Sequence, residues 1–164
     1  TRLTLQGLGG KTVTLVEAIR QLVDHQDSRI LLCAPSNSAS DIIAKRLLEL
    51  GSAALLRLYG PSRPSIAVLD ELVPFTFTVN GKYSVPKLEE ILKFRVVVAT
   101  CSASYMLRCV GVPRGHSSHI FVDECAQTSE PEGELSLCVR VRSEAHLEFL
   151  KLSSLSAVRR PGRQ

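Results

Sequence analysis

Gly7, Gly9 and Gly10 lead straight into Lys11 and Thr12, and beyond them Leu15, Val16, Ile19, Leu22 and Val23 recur at helical spacing. Glu17, Arg20, Gln21 and Asp24 fill the opposite face, so the segment is an amphipathic helix that packs through one stripe. Its amino end is entered through glycines and offers unpaired backbone N–H groups and the positive end of the helix dipole, which suits an anion. Lys11 adds a charge for phosphate oxygens, and the Thr12 hydroxyl suits Mg²⁺. Against the pattern G-x-x-x-x-G-K-[ST], Gly10, Lys11 and Thr12 fit, while Leu5 holds the first glycine position, where a Cβ resists φ > 0. Two readings suit this segment alone. One is a phosphate loop binding nucleotide through Gly7, Gly9, Gly10, Lys11 and Thr12; the other is a glycine-rich turn that starts a helix.

The 164 residues, 45% of them apolar, suffice for one globular domain with a sizeable core, and they exclude disorder as a description of the whole. A net charge of +4 is a mild basic bias, compatible with a polyanionic partner without requiring one. Cys33, Cys101, Cys109, Cys125 and Cys138 are odd in number and scattered, with no C-x-x-C pair, so neither a disulfide framework nor a zinc site is expected. They read as structural thiols. No apolar run approaches the ~18 residues of a membrane span, and the expected compartment is the cytoplasm, with the nucleus as second choice.

Along the chain, residues 1–5 allow only a short strand. "SRILLCAP" has the profile of a strand buried on both faces. In "SNSASDIIAKRLLELG", Ser38 and Asp41 match a capping box, Ile42, Ile43, Leu47 and Leu50 form the predicted stripe, and Gly51 closes the helix. "ALLRLY" is a third strand, followed by a Pro- and Gly-containing loop. The alternation β, α, β, α, β points to a doubly wound α/β sheet. Around Asn80-Gly81 a type I′ hairpin is expected, an insertion near residues 75–85. Pro86 suits the first turn of a short helix carrying Leu88, Ile91 and Leu92. "RVVVAT" is the most β-like segment, and "CSASYMLRC" is a short helix.

The second chemical centre is "SSHIFVDECAQTSEPE". The apolar run Ile120-Phe121-Val122 ends in Asp123-Glu124, two carboxylates where a parallel strand would stop, and ligands of open α/β sheets sit at that edge. The pair also fits a helix cap, Ser36-Asn37 an ordinary loop, and His116 and His119 read as surface residues without a ligand role.

Taken together, "GGKTVTLVEAI", "ILLCAPSNSASD", "FRVVVATCSAS" and "HIFVDECAQTSEPE" resemble motifs I, Ia, Ic and II of superfamily 1 helicases. The nearest likeness is to Upf1-like RNA helicases of the Armitage or Moloney-leukaemia-virus-resistance type. The resemblance runs from about Leu5 to Glu132. It implies a P-loop, RecA-like parallel sheet with flanking helices over residues 1–132, part of the first ATPase lobe; from Gly133 the texture of the sequence changes, and residues 133–164 read as a divergent tail with a helix expected near Glu144 to Leu155 and a basic end. It further implies ATP and Mg²⁺ as cofactors and single-stranded RNA as partner, with ribonucleoprotein or RNA-silencing proteins among further partners. By the same resemblance Lys11 holds the β/γ-phosphates, Thr12 and Asp123 hold Mg²⁺, Glu124 polarises the attacking water and Gln127 senses the γ-phosphate side. Pro35, Ser36, Asn37 and Thr100 match positions that touch the nucleic-acid backbone; Ser, Thr and Asn donate to phosphate without reading bases.

The departures are Leu5, the short strand before it, the absence of a G-D-P-x-Q-L segment after the second carboxylate motif, and the lack of a second lobe. The expected function is therefore the ATP-binding lobe of an ATP-dependent RNA helicase, incomplete by itself. The alternative is a truncated, non-catalytic form that binds RNA or helicase partners. A P-loop kinase or small GTPase fits poorly, because D-E-x-x-Q is not their metal motif.

Overall fold

The structure, a computed structural model, describes residues 10–123, with side chains from residue 12 onward. The expected first strand, the expected helix near residues 144–155 and the tail lie outside the described residues.

Strands β1 (Ile30–Ala34), β2 (Leu55–Leu58), β5 (Val96–Thr100) and β6 (His119–Val122) form one parallel sheet in the order β2-β5-β1-β6. Leu32 stands in register between Val98 and Phe121. Every residue of β1, β2 and β5 is buried, which is why these strands read as continuous apolar runs. Ile30, Leu32 and Ala34 face one cluster with Leu15, Val16 and Ile19 of α1 (Gly10–Val23) and Ile43 and Ala44 of α2 (Asn37–Arg46). Leu31 and Cys33 face the other, with Ile91 of α3 (Leu88–Ile91) and Leu107 of α4 (Cys101–Cys109). Helices thus cover both faces, the P-loop type of α/β architecture expected from the sequence.

The hairpin also stands where expected: β3 (Thr78–Val79) and β4 (Lys82–Tyr83) flank Asn80 at φ 51° and Gly81 at φ 73°, the positive pair a type I′ turn demands. It is shorter than its alternating sequence suggests, because Pro74 lies in a 3₁₀ turn spanning Asp70–Phe75 and the chain reaches the ladder only at Thr78. Pro86 likewise precedes the cap of α3, Lys87, instead of occupying the first turn.

The start of α2 differs from the sequence expectation. Ser36, not Ser38, is the cap, accepting from the Ala39 N–H at 3.1 Å. This moves the helix start back by two residues and turns Asp41 inward, where it is buried. Ile42 then faces solvent at 55% exposure, and the buried stripe is Ile43, Ala44 and Leu47. The helix ends at Arg46, and Gly51 closes a separate 3₁₀ turn, Leu48–Leu50, at φ 76°.

Candidate functional site at the carboxyl edge of the sheet

Because β1, β2, β5 and β6 are parallel, all their carboxyl ends lie along one edge. From it emerge Pro35-Ser36-Asn37, Gly60-Pro61, Thr100 and Asp123. Asp123 is tied there by its backbone N–H, which donates to the Cys33 carbonyl at 2.8 Å. Helices α2 and α4 begin at this edge, each capped by its own hydroxyl: Ser36 for α2, and Thr100, whose Oγ1 accepts from Ala103 N at 3.1 Å, for α4.

Helix α1 has the same polarity. Arg95, just before β5 at the amino edge, donates to the carbonyls of Val23, the last residue of α1, and of His25 just beyond it. Near that end Arg20 bonds Glu49 and donates to the carbonyl of Arg46, the last residue of α2. The carboxyl ends of α1 and α2 are therefore neighbours at the amino edge, and both helices run back against the strands. Over its 14 residues α1 rises roughly 20 Å, so Gly10, Lys11 and Thr12 at its amino end lie toward the carboxyl edge of the sheet. No acidic residue occupies its first turn. Gly7, Gly9, Glu124 and Gln127 lie outside the described residues.

Asn37 and Thr100 line one cleft of about 440 Å³, with Gly60, Arg63, Ser102 and Met106 among its other walls. Pro35 and Ser36 do not line it, and the Ser36 hydroxyl is committed to its helix.

Beneath the cleft lies a charged network the motifs do not announce. Arg57 projects from β2 toward α2 and is fully buried. Its Nε donates to Asp41 Oδ1 at 2.8 Å; Nη1 donates to the carbonyls of Leu58 at 2.7 Å and Val98 at 3.5 Å; and Nη2 donates to the Asn37 carbonyl at 3.4 Å and to Asn37 Oδ1 at 3.0 Å. Every guanidinium N–H therefore has an acceptor, the condition for holding this cation out of water. The guanidinium also lies 4.0 Å from the centroid of the Tyr59 ring. Burial lowers the pKa of Arg57 from its ordinary value, and the charges of Tyr59 and Asp41 oppose that shift. Tyr59 donates its hydroxyl to Asp41, and burial, then that bond, raises its pKa well above that of an ordinary phenol. Arg63 reaches the other carboxylate oxygen of Asp41 at 3.8 Å and donates to the Ala67 carbonyl, while its Nε is buried without a partner among the described residues. One signal for this network was present: an arginine inside "ALLRLY", an otherwise apolar run.

Among the described residues no cluster of His, Cys, Asp or Glu forms a metal site, and no helix is long and apolar enough to cross a membrane. Cys33 and Cys101 are buried, and Cys109 is exposed. His119 is half-buried in β6, with Nδ1 at 2.9 Å from the Ser118 hydroxyl.

Residues 4–83 match the family described as AAA domain. The chain is 41% identical over 127 residues to human RNA helicase Mov10l1, covering 75% of this chain and 10% of that protein. It is 35% identical over 132 residues to the chicken protein described as putative helicase MOV-10, covering 78% and 14%. It is 34% identical over 142 residues to the human probable helicase with zinc finger domain, covering 82% and 7%. It thus spans about a tenth of the length of these relatives. By sequence and by fold, residues 4–83 are a P-loop AAA domain, and the chain that carries it is related to the MOV10-type RNA helicases.

Proposed function

We propose that residues 1–132 act as the nucleotide-binding lobe of an RNA-dependent ATPase, with ATP at the start of α1 and the backbone of single-stranded RNA in the cleft beside it. The supporting observation is the shared polarity of α1, α2 and α4: their amino ends meet the end of β6 at one sheet edge, so one face suits two polyanions. The donor set fits Mg–nucleotide. Lys11 would hold the phosphates, Thr12 and Asp123 the cation, Glu124 the attacking water and Gln127 the γ-phosphate side, with Gly7, Gly9 and Gly10 letting the backbone approach. When bound, the Mg–nucleotide supplies an activated phosphoryl group. Phosphoryl transfer depends chiefly on positioning and charge neutralisation, which a lysine, metal-holding oxygens and one water-orienting carboxylate provide. On the RNA side Asn37 and Thr100 supply uncharged polar groups and Arg63 a charge, a combination that grips phosphate without reading bases. Pro35 and Ser36 support this wall by setting the start of α2.

Titrating a fluorescent ATP analogue into the wild type and Lys11→Ala tests the nucleotide half. Weaker binding in the variant is expected; equal affinities would remove Lys11 from the site. Phosphate release is then followed with and without single-stranded RNA. The 164 residues by themselves are expected to turn over slowly, because an arginine supplied to the transferring phosphate from outside the lobe is worth roughly 10³ to 10⁵ in rate. Strong RNA stimulation that Glu124→Gln abolishes would show that this chain completes its own catalytic site. RNA binding without turnover is the second reading, favoured by Leu5 at the loop position where the motif has glycine.

A further inference from the structure

An amide side chain on a phosphate-binding wall presents either a donor or an acceptor to the ligand, depending on which way it is turned. Asn37 lines the cleft, and its orientation is fixed from below. Arg57 Nη2 donates to Asn37 Oδ1 at 3.0 Å and to the Asn37 main-chain carbonyl at 3.4 Å. A guanidinium only donates, so the oxygen must face Arg57, and the amide N–H₂ is left for the other side. Arg57 cannot turn away to release it. Its other N–H groups are held by Asp41, Leu58 and Val98, its side chain is fully buried, and Tyr59 covers its face.

We infer that Arg57 is a positioning residue for RNA binding: it turns Asn37 so that its amide N–H₂, a donor, faces the cleft. The inference rests on the reading of that cleft as the RNA-backbone site and adds to it a residue that never touches the ligand. It also accounts for a buried charge in a sheet strand, where an apolar residue of similar volume would pack without a desolvation cost. Lysine cannot substitute, because its rotating ammonium has three donors where this site uses five and has no planar fork to engage Asp41 and Asn37 together.

The test is the affinity of a fluorescein-labelled oligouridine single strand for the full chain, read by anisotropy, with circular dichroism melting of each variant alongside. Asn37→Asp keeps an oxygen for Arg57 but replaces the outward donor with an anionic acceptor. It is expected to melt near wild type and to bind at least roughly tenfold more weakly, the loss of one charge-assisted hydrogen bond. Arg57→Lys is expected to weaken binding to a similar degree in the wild-type background and to have no further effect on binding in an Asn37→Ala background. Arg63→Gln serves as the check on the cleft itself. If Arg63→Gln weakens binding while Asn37→Asp does not, the cleft is right and the inference about Asn37 fails. Additive losses for Arg57→Lys and Asn37→Ala would reduce Arg57 to a structural role and overturn the inference. If none of Asn37→Asp, Arg57→Lys and Arg63→Gln changes affinity, the cleft is not the RNA site and both readings fall. Should Arg57→Lys fail to fold, unweakened binding by Asn37→Asp still overturns the inference.

Discussion

Tyr59 and Arg57 share one acceptor: the phenolic hydroxyl and the guanidinium Nε both donate to Oδ1 of Asp41, at 2.7 and 2.8 Å, in the buried layer between β2 and α2. A single carboxylate thus neutralises a buried cation and satisfies a buried hydroxyl, while its second oxygen faces Arg63. Asp41 thus ties Arg57 of the sheet to Arg63 of the cleft wall, beside the direct bonds from Arg57 to Asn37.

Removing that carboxylate should be costly. Asp41→Asn leaves Arg57 buried beside a neutral amide, and breaking one side of a buried pair costs about 3–5 kcal/mol. Urea unfolding of the two proteins measures it; a loss below about 1 kcal/mol would mean that water enters the layer.

Tyr59 makes stability depend on pH in a particular direction. Its folded pKa lies above the unfolded value of about 10, so the folded state retains a proton that the unfolded chain releases. The contribution is fully present below about pH 10 and is lost as pH rises further, by about 1.4 kcal/mol per pH unit. The stability advantage of wild type over Tyr59→Phe should therefore shrink above pH 10. An advantage that stays constant from pH 8 to 11 would contradict the buried hydrogen bond.

Two glycines should respond differently to alanine. Gly81 sits at φ +73° with open space where the added methyl group would stand, so Gly81→Ala costs backbone strain alone, about 1 kcal/mol. Gly60 also has open space and no left-handed backbone, so Gly60→Ala should change stability by less than about 0.5 kcal/mol. Thermal melts of both decide; equal losses would place the strain elsewhere.

Restoring glycine at Leu5 should tighten nucleotide binding by ~1–3 kcal/mol if the isobutyl group obstructs approach of phosphate to the loop. The same fluorescent titration reads this, and unchanged affinity would show that the loop takes another path.

Salt reports on Arg63. One phosphate contact to a single strand contributes about 0.7 to the slope of log affinity against log salt, so Arg63→Gln should flatten the slope by roughly that amount. A parallel offset with no change of slope would remove Arg63 from the phosphate.

What the sequence settled by itself is what depends on periodicity and backbone chemistry. The runs Ile30–Ala34 and Val96–Thr100 are apolar throughout because both faces of a parallel sheet are covered, and Asn80-Gly81 adopts the positive φ pair that few other residues tolerate. With the order of strands and helices, these fix the α/β class, and the edge where ligands gather follows from parallel strands. Tertiary structure decided what depends on distance. The capping box read at Ser38 and Asp41 gives way to a cap at Ser36, with Asp41 drawn inward by Arg57, 16 residues away in the chain. Ile42 and Ile43 are equally apolar, yet only Ile43 is buried, since the helix start sets which face meets the sheet. Asn37 was legible as a candidate contact, but the direction of its amide was not, because Arg57 fixes that direction from a neighbouring element and local spacing carries no record of it.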